Sequence, residues 1–106
     1  MESKGMKYEF LARPCYCSSQ EEMGRWIFAL LPKDMSKEIR SNFGGLEEGW
    51  GRMKITAKVN STEWKTSIWF DTKKDTYMLP LKAEIRKKEK IVLDENVKIV
   101  IFVKFY

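Results

Sequence analysis

Two neighbouring segments of this chain alternate apolar and polar side chains with a period of two, and no other pattern in it narrows the fold so much. Over residues 52–60, Met53, Ile55, Ala57 and Val59 share one face, and Arg52, Lys54, Thr56 and Lys58 share the other. Successive side chains of a β-strand point to opposite faces, so this is the pattern of a half-buried strand. Residues 60–62 turn the chain. Residues 63–70 return with Trp64, Thr66, Ile68 and Phe70 on one face and Lys65, Ser67 and Trp69 on the other. The pair predicts an antiparallel hairpin. A two-stranded hairpin is marginal alone, so the rest of the chain must cover its apolar face.

Four further segments read as strands. Residues 7–12 begin the first, and Pro14 interrupts it or marks a sheet edge. Residues 25–31 hold Trp26, Ile27, Phe28, Leu30 and Leu31, stop at Pro32, and suit a strand buried along most of its length. Residues 76–79 follow the polar turn 71–75 and make a short third strand of the meander. Residues 97–105 place Val97, Ile99, Ile101, Val103 and Phe105 on one face, while Val100, Phe102 and Tyr106 make the other partly apolar. A helix or a second subunit is expected to cover that other face. Trp26 and Trp64 have the patterning of core residues.

Two segments have helical spacing instead. Residues 33–43 carry Met35, Ile39 and Phe43 on one side. Residues 81–90 follow Pro80, bury Leu81 and Ile85, and crowd Arg86, Lys87, Lys88 and Lys90 into the last turn, where the helix dipole favours cations. Between helix and hairpin, Gly44, Gly45, Gly49 and Gly51 frame a flexible segment holding Leu46 and Trp50. It lacks the lysine and the strand-to-helix order of a phosphate-binding loop. Residues 18–22 read as a polar turn.

Six strands in one flat sheet would leave two bare edges and one bare face, and curling the sheet removes both. The expected fold is therefore mainly β: a small closed or partly open six-stranded β-barrel with two short helices. It is expected to form a single domain over residues 7–106 after a flexible tail at 1–6, with an interior packed solid by bulky side chains. A chain of 106 residues has room for one such core. Its opening, MESKGMKYEF, lacks the apolar segment of a secretory signal, and no apolar run approaches a membrane span, so a cytoplasmic protein with no membrane partner is expected.

The chemistry-bearing residues exclude more than they indicate. There is no histidine, so neither a Ser-His-Asp nor a Cys-His arrangement exists. Cys15 and Cys17 are the only cysteines. Two thiols do not close a zinc site, and a disulfide between them would be a tight ring that a cytosol keeps reduced, so two thiols are expected. No metal and no cofactor are expected. Glu47 and Glu48, in the glycine segment, and Asp71 and Asp75, around a turn, read as solvated acids rather than a catalytic pair.

Charge is distributed unevenly. Residues 1–50 carry a net charge of −1 and residues 51–106 a net charge of +6. Lys54, Lys58 and Lys65 fall on the hairpin, and Lys82, Arg86, Lys87 and Lys90 on the second helix, with the rings of Trp69 and Tyr77 beside them. Cations interleaved with rings are how single-stranded nucleic acid is held, through phosphate and stacking. The bland alternative is a solvated face.

Several of these residues carry a family resemblance. The glycine segment running into GRMKITAKVN at 51–60, WKTSI at 64–68, YMLPLKAEIRK at 77–87 and the early strand ending in proline at 26–32 together resemble the small bacterial and archaeal β-barrel family known as domain of unknown function 1905. That family usually has glycine-aspartate in the turn before the last strand, where this chain has Asp94 and Glu95, and often glycine where this chain has Lys90. The resemblance implies a small barrel and a binding or accessory role, with no activity to transfer. Residues 79–97 also resemble, over that stretch alone, an element of transition-state-regulator and antitoxin barrels, which are DNA-binding dimers. On that likeness Arg86 stands for the element's arginine.

The expected function is thus a binding or accessory module acting on itself or another protein, with Val100, Phe102 and Tyr106 as the contact face. The alternatives are nucleic-acid binding through the basic helix and hairpin, and a cofactor-independent enzyme using Lys, Tyr or Cys.

Overall fold

The computed structural model describes residues 4–16 and 26–105, so the turn expected at 18–22 and the roles expected of Cys17, Arg25 and Tyr106 lie outside the described residues. Six strands, β1 (Lys4–Ala12), β2 (Phe28–Leu30), β3 (Arg52–Val59), β4 (Thr62–Asp71), β5 (Thr76–Pro80) and β6 (Val97–Phe105), join in the order β1-β6-β3-β4-β5-β2. Every pairing is antiparallel. The sheet curls into a half-barrel. Its ends meet at one point, where Cys15, beyond β1, exchanges two 2.9 Å backbone hydrogen bonds with Phe28 of β2. Cys15 is disulfide-bonded rather than a thiol, which corrects the expectation for it.

The hairpin has the faces its alternation predicts. Met53 pairs with Ile68, Ile55 with Thr66 and Ala57 with Trp64 on the inner side. Arg52 pairs with Trp69, Lys54 with Ser67 and Thr56 with Lys65 on the outer side. The inner side joins Ile99, Ile101 and Val103 of β6 and Tyr8 and Phe10 of β1 in one core. Each such side chain, fully buried, contributes about 1.5–3 kcal/mol.

Two strand ends differ from expectation. β1 starts inside the segment expected as a tail, because Lys4, Gly5 and Met6 pair with Phe105, Lys104 and Val103. Gly5 is required there: a Cβ would strike the carbonyl oxygen of Val103. β2 is only three residues long, and its register with β5 carries on one rung to each side, the Leu81 amide donating to the Ile27 carbonyl (2.9 Å) and the Leu31 amide to the Tyr77 carbonyl (3.0 Å), with Trp26 beyond the last rung. Trp26 is consequently outside the core, 48% exposed and stacked on Phe28 with ring centroids 6.1 Å apart.

Helix α1 (Lys33–Phe43) spans the predicted residues and buries Ile39 and Phe43. It also buries Ser36 completely. The Tyr77 amide donates to Ser36 Oγ (3.0 Å), Ser36 and Thr76 hydroxyls lie 2.7 Å apart, and Thr76 Oγ1 donates to the Leu31 carbonyl. Because Thr76 commits its one proton to Leu31, Ser36 donates to Thr76. This chain of bonds ties α1 to β5 and to the end of β2.

Helix α2 (Ala83–Lys88) is shorter at both ends than the predicted 81–90. Leu81 is held by Ile27, and Lys82 keeps an extended backbone (ψ 150). At the other end Lys90 takes φ +54, and the Ile91 amide reaches back to the Arg86 carbonyl (2.9 Å). This is a Schellman ending, in which glycine normally takes the left-handed position. Asp94, in the turn before β6, has φ +62. The two places where the chain departs from the family's glycine pattern are thus left-handed in the structure. Glu89 then fastens α2 to the hairpin turn, accepting from Asn60 Nδ2 (2.8 Å) and from the Thr62 hydroxyl. Those bonds, Thr62 foremost, hold its carboxyl below the usual range.

Candidate binding grooves beside strand β4

Two grooves flank the hairpin, and a smaller third of about 300 Å³ shares Lys65, Phe102 and Lys104 with the second and adds Glu63. The first, about 470 Å³, lies between β4 and the chain around α2. Ile27, Pro80 and Leu81, all buried, form its floor. Trp26 and Trp69 form its aromatic walls, and Arg52, Lys82 and Arg86 supply its charge. No carboxylate lines it among the described residues. Local structure explains the placement. Arg52 and Trp69 are cross-strand partners on the outer face. Arg86 Nε donates to the Leu81 carbonyl (3.0 Å), which orients its guanidinium beside the floor. Trp26 stands at the rim because β2 begins two residues after it.

The second groove, about 560 Å³, lies over β3, β4 and β6. Lys54, Lys65 and Lys104 are its cations, with Phe102 and Leu46 as its apolar lining. Among the described residues its one acid is Glu48. That carboxylate lies 3.4 Å from Arg52 Nη2 and 3.5 Å from Lys54 Nζ, so it bridges a cation of each groove. All three side chains are well exposed, and such pairs are worth about 0–1 kcal/mol, so they exchange readily for another anion.

The predicted residues therefore divide into sets. Trp69, Lys82 and Arg86 converge in the first groove. Lys54, Lys65 and Phe102 converge in the second. Lys58, Lys87 and Lys90 are exposed and line neither, and Val100, the cross-strand partner of Lys58, is half-buried. Tyr77, expected to present its ring at the surface, is wholly buried. Three contributors escaped the sequence reading. Arg52 was legible as the hairpin partner of Trp69, and Lys104 as the outward neighbour of Phe102. Trp26 had no local signal, since its pattern was that of a core strand.

Of the four acids expected to be solvated, Glu48 and Asp75 are exposed, whereas Glu47 and Asp71 are not. Glu47 accepts from the Tyr77 hydroxyl (3.2 Å) and pairs with Arg40 (3.5 Å), whose guanidinium lies 3.8 Å over the Phe70 ring. Burial, and then the Glu47 charge, push the Tyr77 phenol well above its usual range. The Tyr77 hydroxyl thus donates to Glu47 and ties β5 to the glycine segment. Asp71 is buried and accepts the amides of Lys73 (2.9 Å) and Lys74 (3.2 Å), closing the β4–β5 turn. Among the described residues no three His, Cys, Asp or Glu side chains gather as a metal site requires, and no helix is long and apolar enough to cross a membrane.

What these grooves offer is positive charge beside apolar and aromatic surface. Residues 17–101 match the family described as Domain of unknown function (DUF1905). No curated protein matches the chain.

Proposed function

This chain belongs to the DUF1905 family, and we propose that it works as a binding module that takes an anion carrying a planar ring. One observation carries this reading: two tryptophans and three cations share the first groove, with no carboxylate among its described lining residues. Stacking on an indole is worth about 1–3 kcal/mol per base and needs no particular base identity. Arginine and lysine pair with phosphate oxygens, arginine through a planar fork of donors. A volume of about 470 Å³ is of the size that encloses a small ligand. A nucleotide unit has the shape and charge this groove complements.

The protein-contact reading of the last strand has less support in the geometry. Val100 and Phe102 are half-buried. Their partners across the sheet are Lys58 and Thr56, and lysines Lys98 and Lys104 adjoin them. An apolar interface core is depleted of such charges.

The test is adenosine monophosphate titrated into the protein at low salt, with tryptophan fluorescence as the readout. Saturable quenching is expected, weakened about tenfold in Trp69→Ala and again in Arg86→Ala, with adenosine and inorganic phosphate each binding more weakly than the nucleotide. Absence of saturable quenching into the millimolar range overturns the reading, as does a Trp69→Ala variant that binds unchanged.

A further inference from the structure

The two grooves are not independent sites. Lys54 of the second groove is the cross-strand partner of Ser67 of the first. The outer ladder of the hairpin therefore leads from one into the other. Along β3 it places Arg52, Lys54 and Thr56 in steps of about 7 Å, two residues per step. Phe102 lies beside Thr56 on β6, with Lys104 over its ring at 5.7 Å. Rings thus stand at both ends of a path whose middle is cationic. Glu48 sits at the junction, its carboxylate between Arg52 and Lys54. An anion already occupies the place where the two cationic grooves meet, and it is held only by exposed pairs.

We infer that the ligand is a single-stranded nucleic acid laid across β4, and this rests on the nucleotide reading of the first groove. One base stacks between Trp26 and Trp69, with its phosphates on Arg52, Lys82 and Arg86. The backbone then crosses the outer face of the hairpin, where a phosphate takes the place of the Glu48 carboxylate between Arg52 and Lys54. A further base meets Phe102, with Lys65 and Lys104 on the phosphates beside it. A duplex does not fit this scheme, because its bases are stacked on each other and closed to side-chain rings. An acidic peptide satisfies the cations but leaves both aromatic ends without a partner.

The experiment is fluorescence anisotropy of labelled single-stranded oligonucleotides of increasing length on the full chain, with the mononucleotide followed by tryptophan quenching. Affinity is expected to rise with length and level off at about four to six nucleotides, and log K is expected to fall with log salt at a slope of about −2 to −3. Lys65→Ala with Lys104→Ala should weaken the hexanucleotide about tenfold while leaving mononucleotide quenching unchanged. Glu48→Gln should tighten the hexanucleotide several-fold. Affinity that does not grow with length, or a double lysine variant that binds the hexanucleotide unchanged, overturns the inference while leaving the nucleotide groove standing. Loss of mononucleotide quenching overturns both. Equal binding of a duplex, or of polyglutamate of matched charge, overturns the choice of a single strand and reassigns the path to backbone charge alone or to an acidic protein.

Discussion

Replacing Ser36 with alanine tests the claim that a buried hydroxyl, rather than apolar contact alone, seats α1 on the sheet. Ser36 is fully buried, accepts the Tyr77 amide at 3.0 Å and donates to Thr76 at 2.7 Å. Alanine removes both bonds and leaves the Tyr77 N–H unpaired at a site closed to water. An orphaned buried donor costs about 1–3 kcal/mol. Alanine is also the better helix former, which returns about 0.5 kcal/mol. The net loss is about 0.5–2.5 kcal/mol, equivalent to a fall in Tm of about 2–20 °C for a domain of this size. Urea unfolding followed by circular dichroism should show a lower midpoint with the slope m unchanged. Thr76→Val removes the next link in the same chain, and the double variant should lose less than the two single losses added together, by about 1 kcal/mol. A Ser36→Ala loss under about 0.5 kcal/mol, or strict additivity with Thr76→Val, refutes the network as the tie between α1 and β5.

Two other perturbations follow from the backbone and the hairpin turn. Lys90→Gly should stabilise the domain by about 1 kcal/mol, because Lys90 holds φ +54 in a Schellman ending that glycine adopts without a Cβ penalty; a lower Tm in that variant contradicts this account. Glu89, whose carboxyl is held low by Thr62 and Asn60, contributes stability that is present above the ordinary glutamate range and lost as pH falls through its depressed folded value. The Tm gap between wild type and Glu89→Gln should therefore narrow between neutral pH and about pH 3, and a gap that stays constant shows that the charge of Glu89 is irrelevant to the clamp.

The sequence by itself determined the elements and their faces. Period-two alternation from Arg52 to Phe70 is set by the pleat of each strand, so the inward and outward residues of the hairpin were legible, and with them the partnership of Arg52 with Trp69. The spacing of Met35, Ile39 and Phe43 determined α1 to the residue for the same reason: local geometry has a fixed period, and burial selects one face of it. The family resemblance was legible from the order of several segments, while the left-handed backbone at its glycine departures, Lys90 and Asp94, came only from the structure. Only the tertiary structure decided which long-range partners compete for a backbone group. Ile27 gives its carbonyl to Leu81, far along the chain, as the last rung between β2 and β5; this holds Leu81 out of α2 and leaves Trp26 beyond the rung, at the wall of the first groove. β1 extends through Lys4–Met6 because β6 is there to pair with it. Ser36, which the spacing of Met35, Ile39 and Phe43 does not single out, is buried because Tyr77 and Thr76 arrive to satisfy it. The cations followed the same rule. Their strands were readable from sequence, but which of them share a groove depends on strand order, and β6-β3-β4-β5 is set by packing between segments whose separation along the chain carries no local period.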